Sequence, residues 1–165
     1  MIQKVLVSAC LLGEQTRYDG LVLPLSDKII NELKSISVII PFCPEVAGGL
    51  PVPRPPAEIS CKDGFFVLDH NAGIKTVNGY DVTASFIKGA EKALEAAIGN
   101  NIMAAVLKEN SPSCGSMSIY DGTFTKTLKQ GKGVTAALFE RNGIIVFSEK
   151  TIEDALLFIG NFTSS

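Results

Sequence analysis

The sequence is poor in the side chains that most active sites use. It contains no tryptophan, three arginines and a single histidine, His70. A catalytic triad built on histidine would therefore have to use His70, whose neighbours Asp69 and Asn71 are typical of a solvated turn. The net charge of −2 argues against broad electrostatic binding to nucleic acid, so we expect no nucleic acid partner.

Long hydrophobic runs are also absent. No apolar run approaches the roughly 18 residues of a membrane-spanning helix, and the stretch before Cys10 is too short and strand-like for a signal peptide. These features predict a cytoplasmic protein with no membrane partner. In that compartment the four cysteines are expected to be metal ligands, catalysts or inert core thiols, and not disulfides.

What is present predicts a globular α/β protein. Hydrophobic residues make up 46% of the chain and charged residues 19%, and the length of 165 residues predicts one domain over residues 1–165. Short apolar runs that favour buried parallel strands occur at residues 4–9, 37–42, 102–108 and 144–148. Segments that favour helices lie between them, at residues 26–35, 81–99 and 131–141, and a last one follows at 151–162.

This alternation predicts a single-domain three-layer α/β sandwich with a mostly parallel, flavodoxin-like sheet in the strand order 2-1-3-4. Two β-hairpin excursions are predicted, one in residues 57–78, with residues 65–69 as one of its strands, and one in residues 117–127 with its turn at Asp121 and Gly122. Residues 41–56 contain six prolines, and we expect no helix there.

Three of the four cysteines follow predicted strands. Cys10, Cys43 and Cys114 each lie just beyond an apolar run, and the carboxyl ends of parallel strands meet at one edge of the sheet, where ligands bind. Three thiols at that edge would form a metal site, and three ligands leave one position of an iron–sulfur cluster open. Zinc with three thiolates and a water is a second possibility.

Several bland explanations compete with a metal site. The chain has no Cys-x-x-Cys motif, and free cysteine is often simply a buried core residue. Cys10 alone could be a nucleophile if a cation or base lay nearby. Cys61 lies beside a predicted turn, away from the strand ends, and we assign it no role.

Charged residues occur in the same loops as the cysteines. Glu45 lies two residues after Cys43 and would be close to a metal bound there, although an exposed loop glutamate is the simpler alternative. Arg17 and Arg54 offer planar donors for a carboxylate, phosphate or carbonyl, or belong to structural ion pairs. The segment after Gly131 opens a helix and could favour an anion, although helix packing is the more common explanation.

The motifs together resemble one known family. In chain order they are Ser8-Ala-Cys-Leu-Leu-Gly with Arg17-Tyr-Asp-Gly, Cys43-Pro-Glu, Gly48-Gly-Leu-Pro with Pro53-Arg-Pro and Glu58, Leu107-Lys with Ser111-Pro-Ser-Cys-Gly, and Gly131-Lys-Gly-Val-Thr-Ala. Across nearly the whole chain, these blocks resemble the bacterial thiouracil desulfidases.

The resemblance implies a [4Fe–4S] cluster held by Cys10, Cys43 and Cys114, with one iron free of protein ligands. That iron would act as a Lewis acid on the sulfur of a small thiolated nucleobase such as thiouracil, and water would release uracil and sulfide without net electron transfer. Glu45 and Ser111 would then be catalytic. The substrate-binding residues would be Arg17, Arg54 and Ser113.

Two functions of other classes stay open from the sequence. A metal- or redox-sensing module would use the same cysteines but would not need a carboxylate at Glu45. An anion- or nucleotide-binding domain would depend on Arg17, Arg54 and the Gly131 turn, and its cysteines would be incidental. The physiological substrate and the oligomeric state do not follow from the sequence.

Overall fold

A computed structural model describes residues 2–163 of the chain. Its strands, in chain order, are β1 (Gln3–Ser8), β2 (Ser37–Phe42), β3 (Ala57–Ile59), β4 (Ile74–Thr76), β5 (Ala104–Leu107), β6 (Ser118–Tyr120), β7 (Leu128–Gln130) and β8 (Ile145–Ser148). Its helices are α1 (Asp27–Ile36), α2 (Pro44–Ala47), α3 (Gly64–Leu68), α4 (Thr83–Gly99), α5 (Val134–Arg141) and α6 (Ile152–Thr163). Short 3₁₀ turns lie at Ala9–Leu12 and Glu149–Thr151.

The central sheet has the predicted topology. Its strands are hydrogen-bonded in the order β2-β1-β5-β8, and every neighbouring pair is parallel. In terms of the four predicted strands this is the order 2-1-3-4, so the flavodoxin-like α/β fold is confirmed. The chain reverses its direction of winding between β1 and β5, which is where open α/β sheets bind ligands.

Helices cover both faces of this sheet. On one face, Val5 and Val7 of β1 pack with Leu33 of α1 and Ile159 of α6. On the other face, Leu6 packs with residues of α4 and α5, which include Ala93 and Phe139. The alternation along β1 follows the two-residue period of a strand, and it produces the predicted three layers.

Two predictions about local structure are wrong. Residues 65–69 were expected to form a strand, but residues 64–68 form α3, because the Asp63 side chain accepts a hydrogen bond from the Phe65 amide and caps a helix. The proline-rich segment 41–56 contains the helical turn α2, which begins at Pro44. Proline is tolerated at the first helical position, where its missing N–H has no partner to lose.

The other expected excursions are present with small changes. β3 and β4 form one antiparallel pair, and β6 and β7 form the other. Asp121 and Gly122 begin the connection between β6 and β7, which continues to Thr127 and is longer than a tight turn. β2 is an edge strand and not a fully buried one, because it pairs only with β1 and Val38 is 44% exposed.

Glycines allow two cysteine-bearing segments to press against helices. A Cβ atom on Gly89 of α4 would lie 2.0 Å from the Pro44 carbonyl oxygen, next to Cys43. A Cβ atom on Gly133, at the start of α5, would lie 2.4 Å from the Ser113 carbonyl carbon, next to Cys114. Neither approach leaves room for any side chain, so backbone packs directly on backbone at both places.

None of the helices described in residues 2–163 is both long enough and apolar enough to cross a membrane.

Candidate active site

A cavity of about 720 Å³ lies at the carboxyl edge of the sheet. The residues that follow β1, β2 and β5 all contribute to its wall, as the parallel topology requires. Tyr80 and Phe124 come from outside the central sheet and also line it. The largest described cavity therefore coincides with the edge at which the sequence placed its candidate ligands.

Three of the four cysteines share this cavity. Cys10 lies in the 3₁₀ turn after β1, Cys43 directly follows β2, and Cys114 lies in the loop after β5, and all three line the wall. Cys10 and Cys114 are buried, and Cys43 is partly buried. Cys61 is exposed and is not part of the lining.

Burial keeps these thiols protonated when no metal is bound. Burial raises the pKa of Cys10 to about 11, and the nearby Cys43 adds to the rise. Burial also raises the pKa of Cys43, and it raises that of Cys114, to which Glu45 and Cys43 contribute further. A neutral thiol is a poor nucleophile, so this environment does not favour Cys10 as an isolated nucleophile.

The donor set fits an iron–sulfur cluster. Such clusters are held by cysteine thiolates, and a coordinating thiol is deprotonated by the metal itself. Within residues 2–163, no three Cys, His, Asp or Glu side chains are grouped closely enough to hold a single metal ion. Three thiols around a cluster stand farther apart than three around one ion, so the arrangement fits a cluster better than a zinc site.

A buried hydroxyl beside the thiols has no protein partner. The Thr16 Oγ1 atom is the one buried side-chain oxygen or nitrogen within residues 2–163 that makes no hydrogen bond. Thr16 lines the cavity, and its carbonyl oxygen lies 3.8 Å from the Cys43 Sγ atom. An unpartnered polar atom at this depth is costly unless a bound group satisfies it, which also fits a cofactor at the three thiols.

Glu45 and Arg54 form a buried ion pair in the cavity wall. The Arg54 Nε atom donates to Glu45 Oε2 at 2.8 Å, and the exposed fractions of the two side chains are 13% for Glu45 and 6% for Arg54. Arg54 also donates to the carbonyl oxygens of Pro51 and Thr16. Burial raises the pKa of Glu45, and Arg54 opposes that rise.

The Cys114 loop is organised by a second buried carboxylate. Glu109 Oε1 accepts hydrogen bonds from the amides of Ser116, Met117 and Ser118, and Oε2 accepts one from the Ser116 hydroxyl. Burial alone would raise the pKa of Glu109, but these hydrogen bonds outweigh burial and lower its pKa to about 2. The charged form of Glu109 therefore holds the loop that carries Cys114.

Ser111 and Ser113 occupy different environments in this loop. The Ser111 hydroxyl lines the cavity and accepts a 2.7 Å hydrogen bond from the Cys114 amide, which leaves the Ser111 proton free to be donated. Ser113 is fully buried, lies outside the lining, and hydrogen-bonds to the Thr135 hydroxyl at 2.9 Å. The structure thus brings Ser111 to the site and places Ser113 behind it.

The N-terminus of α5 does not offer free donors to an anion. The amides of Gly133, Val134 and Thr135 donate to the carbonyl oxygens of the Cys114 loop, namely those of Gly115, Pro112 and Ser113. The segment after Gly131 therefore serves packing, which was the simpler explanation from the sequence. His70 is exposed, as expected for a solvated turn residue.

Two cations complete the polar part of the wall. Arg17 lines the cavity and is paired with Asp19 at 3.0 Å. Lys108, which follows β5, donates to Glu149 Oε1 at 2.6 Å and lowers the pKa of Cys10 against the larger effect of burial. Both residues are held by acidic partners on the protein and still face the cavity.

Sequence reasoning gave no role to Thr16, Lys108, Glu109 or Glu58, all of which line the cavity. Lys108 and Glu58 lie within the motifs that carry the family resemblance, so the motifs themselves were a usable signal. Thr16 and Glu109 give no such signal, because their roles depend on hydrogen bonds that form only in the folded chain.

Comparisons with known proteins agree with this geometry. A family model described as 2-thiouracil desulfurase matches residues 5–151. The Bacillus subtilis (strain 168) protein YbbK is 44% identical over 154 residues, a match that covers 92% of this chain and 99% of YbbK.

A solved structure is also similar over nearly the full length. It is described as the [4Fe-4S]-dependent thiouracil desulfidase TudS, and it is 44% identical with a TM-score of 0.85. The similarity covers 96% of this chain and 99% of TudS. The family that the sequence motifs indicated is thereby confirmed: this chain belongs to the 2-thiouracil desulfurase family.

Proposed function

We propose that this protein is a [4Fe–4S]-dependent desulfidase, which converts a thiolated pyrimidine such as thiouracil into uracil and sulfide without net electron transfer. The observation that carries the proposal is the convergence of three thiols and the Glu45–Arg54 pair on one cavity. Thiouracil desulfuration is the activity after which the chain's family is described, and TudS is named as [4Fe-4S]-dependent. The protein is therefore an enzyme.

In this proposal Cys10, Cys43 and Cys114 hold the cluster, and one of its irons has no protein ligand. The support is the donor count: three of the four cysteines line the cavity, and Cys61 lies outside it. When bound, the cluster supplies a Lewis-acidic iron for the thiocarbonyl sulfur. The Thr16 hydroxyl, which has no protein partner, is placed to donate a hydrogen bond toward the bound group.

Glu45 is the proposed general base for the attacking water. Arg54 binds only its Oε2 atom, so Oε1 is free to take a proton from water, and the ion pair fixes the direction of the carboxylate. Ser111 assists by donating its hydroxyl proton into the cavity, since its oxygen already accepts from the Cys114 amide.

The predicted substrate-binding residues act in three different ways. Arg17 binds the substrate from the wall. Arg54 acts through Glu45, because its donors are occupied by Glu45 and two backbone carbonyls. Ser113 acts from behind the wall by supporting the Cys114 loop through Thr135.

The comparisons do not favour the two alternative functions. A sensing module has no need of the buried Glu45–Arg54 pair, and an anion-binding domain would need the α5 amides, which the Cys114 loop occupies. The proposed partner is a small thiolated nucleobase. A cytoplasmic location and a single domain over residues 1–165 stay predictions from the sequence.

Anaerobic reconstitution with iron and sulfide tests the ligand assignment. The parent protein should bind iron, show the broad brown absorption of an iron–sulfur protein, and release uracil from thiouracil. Cys61→Ser is the matched control, because it removes a thiol outside the cavity, and it should bind as much iron as the parent. Cys10→Ser, Cys43→Ser and Cys114→Ser should each bind less iron and lose turnover.

Equal iron content in all four variants would remove the three-cysteine assignment. A parent protein that carries its cluster but releases no uracil from thiouracil would remove the proposed reaction.

A further inference from the structure

Glu58 is a buried carboxylate in the cavity wall to which the proposed reaction gives no task. It lies in β3, is 7% exposed, and forms no ion pair within residues 2–163. A buried acidic side chain without a cation is rare, because its charge must be stabilised by hydrogen bonds or by a ligand. Its position on the wall makes a ligand available.

The two oxygens of Glu58 are used unequally. Oε2 accepts hydrogen bonds from the amides of Gly122 at 2.8 Å and Phe124 at 3.1 Å. Oε1 accepts no hydrogen bond from residues 2–163, and it is not among the atoms sealed away from solvent without a partner. A carboxylate can only accept, so Oε1 calls for a donor that arrives from the cavity.

Glu58 also fixes the loop that closes one side of the cavity. Residues 121–127 join β6 to β7, and Phe124 and Lys126 of this loop line the cavity with φ angles of 59° and 60°. Bulky side chains rarely adopt this left-handed backbone, and such strain collects at ligand sites where the surroundings enforce it. The hydrogen bond from the Phe124 amide to Glu58 is one of the contacts that enforce it here.

The other two carboxylates of the wall cannot take the same role. Glu109 has donors on both oxygens, from three backbone amides and the Ser116 hydroxyl. Glu45 is held by Arg54 and is assigned to water in the proposed reaction. Glu58 is therefore the one acidic side chain lining the cavity whose spare oxygen has no assignment.

We propose that Glu58 Oε1 accepts a hydrogen bond from a ring N–H of the thiolated pyrimidine, and that Phe124 forms the apolar wall beside the ring. This rests on the proposed function and adds a specificity-determining residue to it. Thiouracil carries ring N–H groups next to its thiocarbonyl carbon, and a carboxylate is the complementary acceptor. The substrate class is then a heterocyclic thioamide with a free ring N–H, in preference to one whose nitrogens are all substituted.

Glu58→Gln separates the ring contact from the loop contact. The remaining oxygen of Gln can still accept from the Gly122 and Phe124 amides, because one oxygen takes both bonds in the parent protein. The new amide group replaces the second acceptor with a donor, which opposes a ring N–H. Glu58→Ala, in contrast, removes both contacts.

The experiment uses the anaerobic holoenzyme with 2-thiouracil as substrate and uracil as competitive inhibitor. Glu58→Gln should weaken uracil inhibition and raise KM by at least about tenfold, as expected for a lost hydrogen bond to a charged group, with kcat nearly unchanged. Hydrogen exchange of the Gly122 and Phe124 amides should stay protected in Glu58→Gln and become fast in Glu58→Ala. Asp121→Asn is the control, since Asp121 lies in the same loop outside the lining and should leave KM and uracil inhibition unchanged.

Each result decides the matter. Unchanged uracil inhibition in Glu58→Gln overturns the ring contact, and so does a loss of inhibition accompanied by loss of amide protection, because Glu58 would then act only on the loop. Weakened inhibition with the loop still protected supports it. If the parent holoenzyme releases no uracil from 2-thiouracil, the proposed function fails, and this outcome is distinct from a parent that turns over and a Glu58→Gln variant that behaves identically.

Discussion

Two cysteine-bearing segments of the site contain a buried carboxylate each, and the protein treats the two carboxylates in opposite ways. Glu45 follows Cys43 and is held through one oxygen by Arg54, and burial raises its pKa. Glu109 precedes Cys114 and is surrounded by N–H and O–H donors that lower its pKa to about 2. One environment resists the charge, and the other stabilises it.

The difference separates chemistry from architecture. A carboxylate with a free oxygen and a single partner can exchange a proton with water in the cavity, whereas one with four donors is committed to its neighbours. Glu109 therefore gives the Cys114 loop a fixed shape. The Cys43 segment obtains its shape from the helical turn α2 and from Arg54, so Glu45 keeps an oxygen for the reaction.

The largest effect is expected from removing the basic carboxylate. Glu45→Gln keeps the shape of the side chain and should lower turnover of thiouracil by about 10²–10⁴-fold, the usual contribution of a general base. The iron content and the cluster absorption should match those of the parent. Uracil release in a single turnover, with cluster content matched between variants, measures this.

Glu32→Gln on the exposed surface of α1 is the matched control and should keep the parent rate. A Glu45→Gln variant that turns over at the parent rate would show that Glu45 is not the base.

The second effect is on stability and belongs to Glu109. Because its pKa in the folded state lies below the ordinary value of 4.5, the ionised carboxylate stabilises the fold above that pH, and this contribution disappears as the pH falls toward 2. Glu109→Gln should therefore lower the free energy of unfolding by about 3 kcal/mol near pH 7. Urea unfolding of the iron-free protein between about pH 7 and about pH 3 measures it.

The gap in stability between the parent and Glu109→Gln should shrink as the pH falls. A gap that stays constant with pH would mean that the charge of Glu109 does not hold the loop, and the contrast with Glu45 would lose its basis.

The smallest effect is expected from Ser111→Ala. The Ser111 hydroxyl accepts from the Cys114 amide and is placed to donate into the cavity, and water can partly replace it. Turnover should fall several-fold, with only a small loss of iron. Ser35→Ala, which removes an exposed hydroxyl on α1, serves as the control. A loss as large as that of Glu45→Gln would move Ser111 into the proton-transfer step.

The sequence predicted the sheet and the convergence of the cysteines because both follow from general rules. Buried parallel strands are continuous apolar runs, and their carboxyl ends meet at one edge, so Cys10, Cys43 and Cys114 could be grouped without coordinates. The helix α3 was missed because Phe65 and Phe66 favour a strand, although Asp63 in front of them is a helix N-cap. Pro44 was likewise taken as a helix breaker when it was a helix start.

The sequence could not predict the contacts that give Glu58, Glu109 and Thr16 their roles. Glu58 is hydrogen-bonded to an amide 64 residues away, and no periodic pattern encodes such a pairing. The Ser113 hydroxyl faces Thr135 and not the cavity, and this direction depends on packing that appears only in the fold. Motifs located the site, and tertiary hydrogen bonds distribute the work within it.

The glycines behind the cysteines have a consequence for how such a chain can diverge. Gly89 touches the backbone next to Cys43, and Gly133 touches the backbone next to Cys114, with no space for even a methyl group. Any chain that keeps this thiol geometry must keep glycine at both positions, although neither takes part in the chemistry. Substituting alanine at Gly133 and varying the cavity-facing residues are thus opposite choices for an engineer: the first displaces a ligand, and the second changes the substrate.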